Sequence, residues 1–312
     1  ARVASAGRGA APDGRSCACG ERVTRERRGA RGGAAAGRGA WAGDGGRVFG
    51  DMPHETCFGG RSVDVPTDRR GIVAREMAAS GPIVLWQSPP CWGLSSTSPF
   101  CIKLESWLRM AGIAYEARVL DGLPRSPSGK IPYVDLPDGR LLADSGAILD
   151  TLTAERGVEL DAGLDARARG LAVAVTRLLE DHFYWAIAWD RWIPAAHWAR
   201  TRVAYFGRLP GPLRWLVPPL ARRGVRQALR GQGFGRMHEA AILARAERDL
   251  AAVAALLGEQ EHLLGRPAGV DATLYAFLVS AARPPFDGPL QRAVARHANL
   301  LAFCGRFEAR WW

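Results

Sequence analysis

The chain contains almost no lysine. Of its 42 basic residues, only Lys103 and Lys130 are lysines, and the formal net charge is +11. A charge of this size would suit a nucleic-acid-binding surface, but phosphate-binding surfaces usually draw on both lysine and arginine. A biased coding composition, which also makes the chain rich in Ala and Gly, explains the arginines better, so we expect no nucleic-acid partner.

A CxxC pair of cysteines and long apolar runs are also missing. The cysteines form no CxxC pair and no zinc-ligand spacing, so we expect no metal site and a reducing, cytoplasmic location. They are Cys17, Cys19, Cys57, Cys91, Cys101 and Cys304. No apolar run reaches the ~18 residues that a membrane span needs. The 312 residues, 47% of them apolar, leave room for two domains with sizeable cores.

Residues 1–80 differ in composition from the rest of the chain. They hold 16 of the 37 glycines and show almost no hydrophobic periodicity. Such a segment buries too little apolar surface to offset its chain entropy, so we predict a disordered low-complexity extension. Its nine acidic residues argue against a mitochondrial transit peptide, which is poor in acids.

Residues 81–155 combine short strand patterns with two helix patterns. The first helix is predicted between Pro99, at its first position, and a stop at Gly112, and the second begins with Ser145 as its cap. The strand patterns lie at 83–86, 113–119, 133–136 and 141–143, with a hairpin turn at 137–140. The segment is therefore a small α/β domain.

From residue 162 to residue 312 the strand patterns disappear. Apolar residues at helical spacing predict a long helix that ends near Trp192. Further helices are predicted at about 238–257, 270–281 and 290–310. Prolines 210, 212, 218 and 219 are expected to interrupt the chain between them. An all-helical domain thus follows the α/β domain.

Residues 191–238 carry the strongest local charge asymmetry, with ten arginines and no acidic residue. A solvated basic face is the simplest interpretation. Contact with a membrane surface or with an anionic partner is the alternative.

Three short motifs stand out in the α/β segment: SPFC at 98–101, KIP at 130–132 and DS at 144–145. In this order and on this pattern of elements, they resemble the glutathione S-transferase superfamily. The resemblance covers about residues 83–308. It implies a thioredoxin-like glutathione-binding domain at 81–155 and an all-helical C-terminal domain at 162–312.

A longer segment, SPFCIKLESWLRMAG at 98–112, is most similar to the failed-axon-connections and metaxin-like branch of the superfamily. The segments at 231–236 and 263–265 support this similarity. Asp271 resembles the buried Asp of the family's C-terminal domain, although Ala268 replaces the Ser or Thr that often caps that helix.

The resemblance implies that Ser98 is catalytic. Its hydroxyl, at a helix start, would donate a hydrogen bond to the sulfur of glutathione and favour the thiolate. The alternative is a helix cap with no further role. Cys101 would be either a small buried apolar residue or a thiol that forms a mixed disulfide with glutathione.

The remaining motif residues are implied to hold the peptide. A cis bond before Pro132 would present the Ile131 backbone to the cysteinyl part, and Lys130 would meet the glycyl carboxylate or remain solvated. Asp144 and Ser145 would bind the γ-glutamyl amine and carboxylate, or else form an ordinary helix cap.

Two further patterns have simpler interpretations. His182, beside Asp181, is expected on a polar helix face or at a helix interface rather than in acid–base chemistry. The tryptophans at 185, 189, 192 and 198 are expected in the core or at the domain interface, although some would suit an apolar electrophile pocket.

These implications lead to one main function and two alternatives. We expect an enzyme that conjugates glutathione, as co-substrate, to a small apolar electrophile, with homodimer formation possible. The alternatives are a non-enzymatic adaptor with the same fold, as metaxin-like relatives suggest, and a glutathione-dependent thiol transferase that uses Cys101.

Overall fold

The computed structural model describes residues 81–122 and 124–312. The predicted disordered extension at 1–80 lies outside the described residues, together with Cys17, Cys19 and Cys57. The described residues belong to one compact unit, in which an α/β half is followed by a helical half.

Four short strands form a mixed sheet. They are β1 (Ile83–Gln87), β2 (Tyr115–Val119), β3 (Tyr133–Asp135) and β4 (Leu141–Ala143), in the spatial order β2-β1-β3-β4. β1 is parallel to β2, whereas β3 is antiparallel to both β1 and β4. Because side chains alternate along a strand, β1 buries Ile83, Leu85 and Gln87 on one face.

Two helices complete the α/β half: α1 (Pro99–Met110) and α2 (Ser145–Arg156). Pro99 opens α1 as predicted, because the N–H that proline lacks has no helical partner at that position. The N-cap of α2 is Asp144 rather than the predicted Ser145. The Asp144 carboxylate is better placed to cap because its Oδ1 accepts from the N–H groups of both Gly146 and Ala147.

The helical half contains eight further α-helices among the described residues. They are α3 (Ala166–Arg177), α4 (Tyr184–Trp192), α5 (Ala195–Phe206), α6 (Leu213–Gln232), α7 (Glu239–Leu257), α8 (Gly269–Ala282) and α9 (Pro289–Ala295), followed by α10 (Ala298–Trp311). A π-helical segment, Leu178–Phe183, joins α3 to α4 without a break. The predicted thioredoxin-like domain with an all-helical C-terminal domain is confirmed.

The core of the molecule is centred on α8, which is buried along almost its whole length. α1 packs along α8, and the ring of Phe100 meets that of Phe277 edge-on, with 5.4 Å between centroids. The α/β half and the helical half therefore share one continuous apolar core.

The prediction that prolines 218 and 219 interrupt the chain is wrong, because both lie inside α6. A proline removes one helical N–H and leaves the carbonyl four residues earlier without its usual donor. Those carbonyls belong to Arg214 and Trp215, which are exposed, so solvent can hydrogen-bond them. Prolines 210 and 212 precede α6, as predicted.

The predicted single helix at 290–310 is also wrong, because the chain forms α9 and α10 there. His297, with φ −106° and ψ 84°, leaves the helical region between them. The break lets the Asn299 amide donate to the carbonyls of Ala254 and Gly258 at the end of α7. The boundary between α9 and α10 therefore coincides with a contact to a helix end that is 41 to 45 residues away in the chain.

Within the two described ranges, no helix combines the length and the apolar character required to cross a bilayer.

Candidate active site

A cavity of about 920 Å³ opens between the α/β half and the helical half. Six residues predicted as catalytic or peptide-binding line its α/β side: Ser98, Lys130, Ile131, Pro132, Asp144 and Ser145. Three separate loops carry them, so the fold brings together residues that lie far apart in sequence. Cys101 is not among the lining residues.

Ser98 occupies the N-cap position of α1. Its carbonyl accepts hydrogen bonds from the N–H groups of Cys101 and Ile102, but its hydroxyl makes no capping hydrogen bond. The side chain, partly exposed at the cavity wall, is therefore not committed to the role of a helix cap.

A hydroxyl network fixes the loop that leads into Ser98. Ser88 Oγ accepts from Thr97 N at 3.0 Å and from Thr97 Oγ1 at 2.7 Å, and lies 2.6 Å from Ser96 Oγ. Ser96 Oγ in turn accepts from Ser98 N at 3.2 Å. The long loop between β1 and α1 is thus ordered by its own serines and threonine.

A buried arginine ties the same loop to the helical half. Arg191, only 2% exposed, donates from Nη1 to the Thr97 carbonyl at 2.5 Å and to the Tyr205 hydroxyl oxygen at 2.9 Å. Its Nη2 donates to the Ser280 carbonyl at 2.7 Å. Arg191 forms no salt bridge with an acidic side chain in the described part of the chain, although its charge acts on the neighbouring buried Asp190, and its guanidinium lies one residue away from Ser98.

The loop before β3 has a defined shape. Ser126 Oγ donates to the Lys130 carbonyl at 2.5 Å and accepts from Lys130 N at 2.9 Å. The bond between Ile131 and Pro132 is cis, as the resemblance implies. Lys130 is exposed, whereas Pro132 is buried at the cavity wall.

Asp144 combines an unusual backbone with a capping side chain. Its φ of 73° lies in the left-handed region that non-glycine residues rarely adopt. Such conformations cluster at ligand sites, where the surrounding structure holds them. Its Oδ1 caps α2, and Asp144 also lines the cavity.

Ser145 is buried beside a charged pair. Lys103, 3% exposed, places its Nζ 3.4 Å from Ser145 Oγ and 2.5 Å from Glu180 Oε1. Since an ammonium group only donates, Ser145 Oγ accepts from Lys103 and keeps its own proton for another acceptor. Glu180 belongs to the π-helical segment, so the pair of Lys103 and Glu180 joins the two halves of the molecule.

The helical side of the cavity is largely apolar and aromatic. Its lining includes Tyr184, Trp185, Ile187, Ala188, Trp192 and Val225, with the charged Glu180, Asp181 and Arg191 beside them. Burial raises the pKa of the Tyr184 hydroxyl, which therefore stays protonated at neutral pH. The cavity as a whole thus sets a polar wall, suited to a charged peptide, against an apolar one.

Comparison with known families agrees with this geometry. The family model for the glutathione S-transferase N-terminal domain matches residues 99–197, and the one for the C-terminal domain matches residues 246–307. Together the two matches cover more than half of the chain. The chain belongs to the glutathione S-transferase family.

Three known members of this wider family illustrate the similarity. Isoprene-epoxide glutathione S-transferase of Rhodococcus sp. (strain AD45) is 30% identical over 236 residues, which are 73% of this chain and 99% of that protein. Metaxin-1 of Mus musculus is 26% identical over 239 residues, which are 73% of this chain and 74% of that protein. Failed axon connections of Drosophila melanogaster is 38% identical over 98 residues, which are 31% of this chain and 23% of that protein.

The fold is also that of solved glutathione transferases. One from Phanerochaete chrysosporium superposes with a TM-score of 0.53 at 17% identity, over 74% of this chain and 98% of that chain. The resemblance to the glutathione S-transferase superfamily, including its failed-axon-connections and metaxin-like relatives, is therefore confirmed.

Cys101 lies in α1, one turn beyond Ser98, and is fully buried. Burial raises the pKa of its thiol to about 11, although the hydroxyls of Ser96 and Ser98 favour the thiolate. A protonated thiol without solvent access is a poor nucleophile, so the environment matches the small apolar residue better than the mixed-disulfide thiol.

His182 lies at a helix interface, as expected. Its Nδ1 is 2.6 Å from Asp249 Oδ2 on α7, and its ring meets Phe234 edge-on. In the described part of the chain, no group of three or more His, Cys, Asp or Glu side chains is arranged to hold a metal ion.

Sequence reasoning missed four residues that shape this glutathione S-transferase family site: Lys103, Glu180, Arg191 and Tyr205. Their partners lie far away in the chain, so periodicity does not reveal them. One signal was available, because Lys103 is one of only two lysines in an arginine-rich chain and stands among apolar residues in α1.

Proposed function

We propose that the chain binds glutathione in the 920 Å³ cavity and conjugates it to a small apolar electrophile. One observation supports this most. The Ser98 hydroxyl, which makes no capping hydrogen bond, and the aromatic helical wall line the same cavity. Conjugation requires a polar peptide site directly beside an apolar site, and this cavity supplies both kinds of wall.

The first step is formation of the glutathione thiolate. In our proposal, the Ser98 O–H donates a hydrogen bond to the sulfur, and the Arg191 guanidinium, which binds the Thr97 carbonyl, adds positive potential. One good donor to an anion contributes about 1.5–3 kcal/mol, which lowers the thiol pKa by about one to two units. The thiolate then attacks the electrophilic carbon.

The peptide itself is held by the other predicted residues. The Ser145 hydroxyl, which accepts from Lys103, donates to the γ-glutamyl carboxylate, and the Asp144 carboxylate receives the γ-glutamyl amine. The Ile131 backbone pairs with the cysteinyl part, and Lys130 attracts the glycyl carboxylate.

The electrophile in this proposal is a small apolar epoxide. The bacterial relative named for isoprene epoxide matches this chain over 99% of its own length. Attack by the thiolate on an epoxide carbon breaks the C–O bond, and the released alkoxide takes up a proton. Tyr205 lines the cavity and is suited to supply that proton because Arg191 donates to its oxygen and polarises the O–H bond. The Tyr205 O–H donates to the Thr97 carbonyl at 3.1 Å, so in this proposal it turns from that carbonyl to the alkoxide, and solvent then restores its proton.

The central test replaces Ser98 by Ala, with Thr153→Ala on the exposed side of α2 as a matched loss of a hydroxyl. We expect the wild type to be retained on immobilised glutathione and to open a terminal epoxide. Ser98→Ala should lower kcat by about 10–100-fold, without loss of thermal stability, and should raise the pKa of the bound thiol. Thiolate absorbance against pH measures that shift.

The serine mechanism fails if Ser98→Ala is fully active while Cys101→Ser is inactive. That pair of results would instead support thiol transfer through Cys101. Absence of both retention and turnover across several electrophile classes would support the adaptor alternative.

A second test addresses the electrophile. Tyr205→Phe should lower kcat for epoxide opening by about 10–100-fold, because the alkoxide then lacks its proton donor. Displacement of chloride from an aromatic halide releases an anion that needs no proton, so its rate should change little. Equal losses for both substrates would show that Tyr205 acts only by supporting Arg191 and Thr97.

A further inference from the structure

The outward side of α6 exposes large apolar side chains to solvent. Leu213, Leu216 and Leu220 are 44%, 59% and 59% exposed, and Trp215 is 70% exposed. The opposite side of the helix buries Pro218 and Leu229. The three leucines recur at intervals of three and four residues, so they form one stripe along the helix.

Arginines without acidic partners surround this stripe. A second cavity, of about 450 Å³, lies between α5 and α6 and contains no acidic side chain in its lining. Five arginines line it: Arg202, Arg214, Arg222, Arg223 and Arg226. None of the five forms a salt bridge with an acid in the described ranges.

Positive charge is concentrated in this group of five arginines. Burial, and next the neighbouring Arg226, lower the pKa of Arg222. The Arg222 guanidinium also donates to the carbonyls of Trp192 and Ile193, both at 2.8 Å, so the other four arginines are the ones available to bind an anionic partner. The rings of Trp198 and Trp215 lie in the same lining, and the Arg222 guanidinium stacks 4.9 Å from the Trp198 ring centre. We call the arginine cavity together with the leucine stripe the docking face.

We propose that the docking face binds the surface of an anionic phospholipid bilayer. Leucine and tryptophan side chains on an amphipathic helix enter the boundary between headgroups and acyl chains, and arginines bind lipid phosphates with paired hydrogen bonds. A juxtaposed apolar stripe and acid-free arginine cavity provide both contributions at one place.

Charge disfavours the two other occupants. A symmetric contact with a second copy would set the five arginines against their own equivalents. A nucleic acid would satisfy the arginines but would leave the leucine stripe in water. Of these three occupants, an anionic surface with an apolar interior is the one that matches both parts of the docking face.

The docking face is separate from the candidate active site. α6 contributes Val225 and Ala228 to the active-site cavity from its inner side, whereas Arg223 and Arg226 line only the second cavity. The proposal therefore does not depend on the proposed conjugation, and its variants leave the peptide-binding wall unchanged.

The experiment is co-sedimentation of the full chain with vesicles of phosphatidylcholine, with and without phosphatidylserine. We expect binding only to vesicles that contain phosphatidylserine, and a steady decline as salt is added. The double variant Arg223→Glu/Arg226→Glu should lower the partition coefficient by at least about 30-fold. Leu216→Ser/Leu220→Ser should also lower it, without changing the net charge.

Arg167→Glu/Arg169→Glu, on exposed positions of α3, is the matched control for charge and should bind like the wild type. Retention on immobilised glutathione should be the same for every variant. Equal binding to neutral vesicles, no binding to anionic ones, or an equal loss in the α3 control would overturn the proposal. So would a dimer that the leucine variant dissociates, or binding to a DNA duplex that the leucine variant leaves unchanged.

Discussion

At the scale of single residues, Ser98 and Cys101 show how one helical turn separates two chemistries. Ser98 faces the cavity with a hydroxyl that makes no capping hydrogen bond, whereas Cys101 is fully buried beneath it. Both residues belong to the same short motif, so only their burial distinguishes the candidate for thiolate stabilisation from a packed side chain.

The burial of Cys101 predicts an unreactive thiol. Its pKa of about 11 keeps it protonated at neutral pH, so alkylation by iodoacetamide at pH 8 should leave it unmodified in the folded chain. The partly exposed Cys91 should be modified first, and peptide mass spectrometry would identify each site. Rapid labelling of Cys101 before unfolding would contradict the described packing.

At the scale of one element, α8 depends on an internal carboxylate for its start. Ala268 occupies the N-cap position and offers no side-chain acceptor, but Asp271 accepts from Ala268 N at 3.1 Å and from Leu263 N at 3.0 Å. The carboxylate therefore replaces the missing cap and also holds the loop that precedes the helix.

Removal of that carboxylate should destabilise the whole fold. In Asp271→Ala, two buried N–H groups lose their acceptor at about 1–3 kcal/mol each, so we expect a loss of about 2–5 kcal/mol in the free energy of unfolding. Urea denaturation followed by circular dichroism measures it. Asp271→Asn keeps one acceptor oxygen and should lose less; equal losses would show that the negative charge, rather than hydrogen bonding, decides stability.

At the scale of the whole molecule, the pair of Lys103 and Glu180 joins the two halves. Lys103 belongs to α1, Glu180 belongs to the π-helical segment, and their side chains are 3% and 9% exposed. Breaking a buried pair leaves one charge without a partner, at a loss of about 3–5 kcal/mol.

We therefore expect Lys103→Met to reduce the free energy of unfolding by about 3–5 kcal/mol, and Lys103→Met/Glu180→Leu to recover most of it. The exposed pair of Arg140 and Glu155 is the matched control, and Arg140→Met should lose less than about 1 kcal/mol. Denaturant titration of the wild type and the three variants measures the free energy of unfolding of each. A loss in Lys103→Met no larger than in the control would mean that the pair is solvated.

Local patterns predicted the order of strands and helices in the α/β half because each pattern is a property of neighbouring residues, but they did not predict α5 and α6 in the helical half. The alternation in β1, the Pro99 start of α1 and the hairpin before β4 all depend on contacts within a few positions. The predictions went wrong where distant groups decide. Prolines 218 and 219 fit inside α6 because solvent can hydrogen-bond the carbonyls that they leave without a donor. α9 and α10 are separate helices where the Asn299 amide binds carbonyls at the end of α7.

The candidate site divides in the same way. The prediction of Ser98 and Asp144 as site residues depends on the resemblance of their motifs to the glutathione S-transferase superfamily, because cap chemistry alone marks only the start of a helix. Arg191 could not be predicted, because its partners Thr97 and Ser280 lie 94 and 89 positions away. Basic residues in its neighbourhood look alike in sequence, and only packing shows which one is buried.

The three hydrogen bonds of Arg191 have a consequence for how such a protein can diversify. Most side chains of the apolar wall belong to α4 and α6, so in the proposed enzyme they can be substituted to suit other electrophiles without changing the loops that carry Ser98 and Asp144. Arg191 is the exception, because one guanidinium supports the wall through Tyr205 and the serine loop through Thr97. Under the proposed function, a substitution of Arg191 would change substrate choice and thiol activation together, so we expect variants with new substrates to keep this residue.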